Sequence, residues 1–156
     1  MRTSAPPASP RCARRPRVTD CIFCGIVTGT EPAEVVAQDT DTVSFMDINP
    51  VNPGHVLTVP RRHAVDIWDL TADEAAHLMA ATHHVCQVIR RALDPDGLDL
   101  FVANGEEGGQ TVFHVHMHSI PRHVGDDWID PWTPTPGDPD EIAAVATRLR
   151  DAAADG

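Results

Sequence analysis

The stretch GGQTVFHVHMHSIPR, residues 108–122, decides how the chain is read. His114, His116 and His118 stand at alternate positions, with Val115, Met117 and Ser119 filling the gaps. A period of two is that of a β-strand, so the imidazoles are expected on one face and the intervening residues on the other. Three imidazoles side by side are costly to bury unless each finds a partner, and the row therefore reads as a site. Two chemistries suit it. The row can hold zinc as a hydrolytic centre with a position open to water, or its central histidine can act as a nucleophile tuned by its neighbours. The loop just ahead, Asn104-Gly105-Glu106-Glu107-Gly108-Gly109-Gln110-Thr111, is glycine-rich. Glycines let backbone N–H groups converge on an anion, and Gln110 and Thr111 add donors for phosphate oxygens.

Outward from this stretch, the pattern alternates strands and one long helix. CIFCGIVTG suggests a short helical turn ended by Gly29. VVAQD and TVSFMDI are strand-like, and the acidic DTD between them makes a hairpin turn. NPVNPG is a loop, and HVLTVP a buried strand stopping at Pro60. A helix is expected from Thr71 to Leu93, opened by a capping box of Thr71 and Glu74 and stopped by DPDG. LDLFVAN and TVFHVHMHSIPR supply two further strands, and residues 139–152 a final helix. The order predicts an α+β domain with an antiparallel sheet, one long helix and a C-terminal helix. Its expected boundaries are a disordered leader over 1–19, one domain over 20–124, and a tail and helix over 125–156 that packs on the domain.

The chain has 156 residues, 42% of them hydrophobic, and no apolar run long enough to cross a bilayer. All 23 acidic residues, but only seven of the 12 basic ones, lie beyond residue 17. So acidic a body argues against binding duplex nucleic acid, which needs clustered cations. There is no lysine and no tyrosine, which excludes chemistry by either. The leader lacks the apolar core of a signal peptide, and the expected location is the cytoplasm. Of the four cysteines only Cys21 and Cys24 stand at ligand spacing. One CxxC is half of a tetrahedral metal site, and the βαβ context of a redox pair is missing.

Residues 20–123 resemble the histidine triad (HIT) superfamily, marked by alternating histidines after a Gly-Gln-Ser/Thr loop. GGQTVFHVHMHSIPR, SFMDINPVNPGHVLTVPRRH and CIFCGIV match in order, and look most like the Hint-like bacterial branch. The resemblance implies a nucleotide-binding α+β fold, usually a homodimer. It implies that His116 attacks the α-phosphorus of an AMP- or GMP-type conjugate, giving a nucleotidyl-histidine that water cleaves. His118 would assist the leaving group, and His55 would support the histidine network. Asn104, Gly109, Gln110 and Thr111 would hold the phosphate. Asp47 would accept from the ribose, with Phe45, Ile48, Ile22 and Ile26 beside the base. Some bacterial members complete the CxxC with two histidines; here those are His63 and His114, implying a structural zinc with no position open to water.

Two features depart from the family. Glu31 stands in T-E-P where relatives generally carry an apolar residue, able either to accept from a base amine or to face solvent. The tail with Trp128 and Trp132 is also unlike the family, and is expected on the leaving-group side. The resemblance implies a nucleotide phosphoramidase. A dinucleoside polyphosphate hydrolase and a non-catalytic nucleotide sensor are the alternatives.

Overall fold

The acidic turn between the first two strands is closed by one side chain. In the computed structural model, which describes residues 21–126 and 135–154, β1 (Val35–Gln38) and β2 (Thr42–Met46) are antiparallel neighbours. Oδ1 of Asp39 accepts from the backbone N–H of Asp41 (2.8 Å) and Thr42 (2.6 Å) and from the Thr42 hydroxyl (3.0 Å). Burial alone raises the Asp39 pKa, but these donors favour the charged form and hold it below its ordinary value.

Three more strands complete the sheet: β3 (Val56–Pro60), β4 (Gly97–Phe101) and β5 (Met117–Arg122). The order is β1-β2-β3-β5-β4, and every neighbouring pair is antiparallel. Alternation along the strands sorts their side chains between two covers. Val43, Phe45, Leu57 and Val59 pack with Phe23 of the short helix α1 (Ile22–Thr28). Val56 packs with Val85 and Ile89 of the long helix α2 (Ala72–Leu93), and Met117 with Leu78. Ser44 and Thr58, buried on alternate positions of the same strands, bond to each other at 2.9 Å, so neither hydroxyl is left unpaired. β3 is consequently buried along its whole length.

Local chemistry sets the helix ends. At the start of α2, Thr71 Oγ1 accepts from the Glu74 N–H (3.2 Å), and Glu74 accepts from the Thr71 N–H (2.8 Å). The guanidinium of Arg62 grips the same carboxylate and, as the largest cause, pulls its pKa down to about 2. α2 ends on Asp94, which adopts a left-handed φ of 44° ahead of Pro95. Gly54 (φ 96°) lies under Leu93, and a Cβ there would collide with that side chain.

One expectation fails. The histidine stretch is not a continuous strand from Thr111: β5 begins at Met117, and residues 112–114 bend. Its neighbour β3 stops at Pro60, which has no N–H to extend a ladder. Residues from Asp126 onward form a second compact unit, in which α3 (Pro139–Ala154) starts with Asp138 accepting from the N–H of Asp140 (2.8 Å) and Glu141 (3.3 Å). The leader expected over 1–19, and Trp128 and Trp132, lie outside the described residues. Among the described residues, no helix is long and apolar enough to cross a membrane.

Leu78 is 2% exposed and joins α2 to the sheet. Leu78→Ala is expected to destabilise the domain by about 2–5 kcal/mol, seen as a lower midpoint in equilibrium urea unfolding with an unchanged slope.

Candidate active site

Where the β5 ladder ends, the backbone turns its hydrogen bonds elsewhere. The His114 N–H donates to the Val112 carbonyl (2.9 Å) and the Val115 N–H to that of Ala64 (2.7 Å). The carbonyl of His114 then accepts from Nδ1 of His116 at 2.7 Å. A carbonyl can only accept, so His116 carries its proton on Nδ1, and Nε2 is the nitrogen with a lone pair. His116 is 4% exposed, its ring 5.1 Å from that of Phe23 and 4.9 Å from that of His118. Burial lowers its pKa, outweighing the carbonyl bond and Asp47, so the ring stays neutral near pH 7.

His118 belongs to β5, opposite Leu57 on one side and Phe101 on the other. Its Nδ1 lies 2.9 Å from Nε2 of His55. Nδ1 of His55 accepts from the Val51 N–H (3.2 Å), so a neutral His55 holds its proton on Nε2 and donates it to His118. His118 is left with its own proton on Nε2. Burial, then the neighbouring His116 and His55, push His118 down to about 4. Burial also lowers His55, against the pull of Asp47, whose Oδ2 is 3.6 Å from His55 Nε2. Asp47, His55 and His118 are close enough to suggest a metal site. The Val51 bond argues otherwise, since it keeps Nε2 of His55 protonated.

A cleft of about 340 Å³ opens beside these rings. Ile22, Ile26, Phe45 and Ile48 form its apolar wall, and Asp47, Thr111, His116 and His118 its polar end. Phe23, Leu57, Pro32 and Ala33 also line it, though none was singled out from sequence. Two signals pointed to them: Phe23 sits between the cysteines on α1, and Leu57 shares the strand alternation of Phe45. His55, Asn104, Gly109 and Gln110 do not line the cleft. Glu31 is exposed and also off the cleft, its stem lying over Gly25 of α1.

The glycine loop differs from expectation. Gln110 is buried, and its amide donates to the carbonyls of Val65 (2.6 Å) and Val112 (3.1 Å) while its Oε1 accepts from the Gly105 N–H (2.8 Å). Both amide protons are therefore spent on backbone rather than aimed at a phosphate. The N–H groups of Gly108 and Gln110 close onto the Gly105 carbonyl, and that of Gly109 onto Glu106. Asn104 accepts at Oδ1 from the Ile67 N–H (2.7 Å), tying the loop to the 3-10 turn Ile67–Asp69. Of the four residues expected on the phosphate, Thr111 alone reaches the cleft lining.

Beyond Phe23 from the His116 ring, α1 brings Cys21 and Cys24 to His63 and His114, with all four ligand atoms within 4.8 Å of one another. Sγ of Cys24 is 3.2 Å from Nδ1 of His63 and 3.6 Å from Nδ1 of His114; Sγ of Cys21 is 3.5 Å from the latter. A tetrahedral zinc with bonds of ~2.3 Å to sulfur and ~2.05 Å to nitrogen has S···N edges of roughly 3.6 Å. The donor set fits. His114 donates from Nε2 to the Pro60 carbonyl (2.8 Å), which turns its lone pair on Nδ1 toward the thiols. Burial pushes His114 down to about 4, keeping it neutral as a ligand must be, and pushes the Cys24 thiol up to about 11. A cation is what such a buried thiol needs to ionise. The four residues can hold a metal ion.

Comparison with known proteins agrees with this geometry. The HIT domain model matches residues 28–125. The Protein hit of Bacillus subtilis is 34% identical over 133 residues, covering 83% of this chain and 92% of that protein. The Arabidopsis thaliana protein named Adenylylsulfatase HINT3 is 32% identical over 107 residues, 69% of this chain and 54% of its own length. Among solved structures, a HIT family protein from Bacillus anthracis superposes with a TM-score of 0.80 at 32% identity, over 85% of this chain and 96% of that one. A zinc-bound histidine triad family protein from Mycobacterium smegmatis gives 0.69 at 31%, over 87% and 99%. A histidine triad nucleotide-binding protein from Candida albicans gives 0.78 at 26%, over 86% and 98%. With the family model spanning most of its length and the histidine row at the end of its central ladder, the chain belongs to the HIT family.

Proposed function

We propose that the protein is an enzyme that binds a nucleotide conjugate and transfers its nucleotidyl group, through His116, from a leaving group to water. The preferred substrate class is a nucleoside monophosphate joined at its α-phosphate to an amine. The observation that carries the reading is the bond from His116 Nδ1–H to the His114 carbonyl, which leaves the lone pair on Nε2 of a ring lining the cleft. Support comes also from the names of two relatives, one a nucleotide-binding protein and the other an adenylylsulfatase.

In this mechanism the base lies against Ile22, Ile26, Phe45 and Ile48, and the ribose hydroxyls donate to Asp47. Nε2 of His116 forms a bond to the α-phosphorus as the bond to the leaving nitrogen breaks. Nε2–H of His118, oriented by His55, donates a hydrogen bond to the departing nitrogen, which takes its proton from solvent and leaves as the amine. Water then attacks phosphorus, loses a proton to solvent, and releases nucleoside monophosphate and neutral His116. Thr111, which lines the cleft, donates to a phosphate oxygen in this reading. Cys21, Cys24, His63 and His114 hold a structural zinc, which neutralises the thiols and braces α1. The same reading makes the chain a homodimer, supported by the unpaired edge of β4, where Leu100 (45%) and Phe101 (46%) are exposed.

Rapid quenching with labelled adenosine phosphoramidate should yield an adenylyl adduct on His116 by mass spectrometry. His116→Ala should lower kcat/KM by at least about 10⁴-fold while AMP affinity changes little; turnover equal to wild type sinks the assignment. His55→Ala should reduce kcat by about 10²-fold, the size of losing one preorganised donor, with KM little changed. Metal analysis should find one zinc per chain, and Cys24→Ser should lose the ion and lower Tm; a wild-type chain purified in zinc and free of metal refutes the site.

A further inference from the structure

We propose that occupancy of the metal-binding quartet sets the affinity of the adjoining cleft for nucleotide, through two physical links. This rests on the readings above of the cleft as a nucleotide site and of the quartet as a zinc site.

The first link is α1. It has seven residues, too few to be stable alone, and Phe23 is its single buried residue. Cys21, at its N-cap, and Cys24 reach the histidine pair, while Ile22 and Ile26 on the same turns form the cleft wall. The Phe23 ring stands between the two sites, 6.1 Å from His114, 5.1 Å from His116 and 5.3 Å from Phe45. A displacement of the thiols therefore displaces the wall. The second link is His114. Its side chain offers Nδ1 to the thiols, and its carbonyl holds the proton of His116. Both the wall and the nucleophile thus lean on groups that the shared ion brings together. Ordering α1 for one ligand lowers the cost of ordering it for the other, and linkage makes the effect reciprocal.

Isothermal titration of AMP into the zinc-loaded full chain, and into the same chain stripped by chelator under reducing conditions, tests this. Stripping should raise the AMP Kd at least about tenfold, and one equivalent of zinc should restore it. In a competition titration against a chelator, saturating AMP should tighten zinc binding by the same factor. Equal AMP Kd values in the two forms overturn the coupling and leave both site readings standing. Failure of the loaded chain to bind AMP overturns the nucleotide reading and the coupling together; failure to take up zinc does the same for the metal reading. Far-UV circular dichroism supplies a further check. A stripped chain that loses its whole signal also overturns the proposal, because the ion would then hold the domain rather than the wall.

Discussion

The carbonyl oxygen of His114 is the acceptor on which the site depends. An imidazole near neutral pH has one lone pair to offer, and which nitrogen offers it is decided by what the other nitrogen touches. At His116 that other partner is this carbonyl, 2.7 Å away. It is available because the β5 ladder starts only at Met117. A ladder running through residue 114 would commit the carbonyls of this stretch to a neighbouring strand. The bend ahead of Met117 is therefore what frees this carbonyl for the ring.

Much of this was legible in the sequence because the governing contacts are local. The period of two placed His116 and His118 beside one another, and their rings lie 4.9 Å apart. Thr71 and Glu74, three residues apart, marked the start of α2, and the DTD turn marked the hairpin. What stayed hidden depends on partners distant in the chain. Gln110 looks like a phosphate donor in its loop, but its amide is claimed by the carbonyl of Val65, 45 residues away. The strand start at Met117 is likewise invisible in the alternation, which runs on through His114 and His116. Phe23 looks like a spacer between two cysteines, yet it is the ring against which Phe45 and His116 pack. The CxxC alone is half a site; spacing did not show its completion by His63 and His114, 39 and 90 residues from Cys24, which came from the family resemblance.

Burial of so many imidazoles is sustained by hydrogen bonding rather than by charge. Among the described residues no buried side-chain nitrogen or oxygen lacks a partner. The same burial pushes His114 and His118 down to about 4, so the charged forms are the ones penalised. Neutral rings suit the two uses that need an unprotonated nitrogen, the metal ligand and the nucleophile.

The three histidines of the row are chemically identical, and their different uses come from the second nitrogen of each. His114 gives Nε2–H to the Pro60 carbonyl and so turns Nδ1 to the thiols. His116 gives Nδ1–H to the His114 carbonyl and so keeps its lone pair on Nε2, the nitrogen proposed to attack phosphorus. His118 receives at Nδ1 from His55 and so keeps an N–H on Nε2, the donor proposed for the leaving group. The three rings are thus distinguished by two hydrogen bonds made outside the row, to Pro60 and from His55, and one within it, to the His114 carbonyl. Substituting a ring of the row deletes its proposed role, whereas replacing His55, the one partner that is a side chain, removes the donor to His118 Nδ1 and leaves that ring in place.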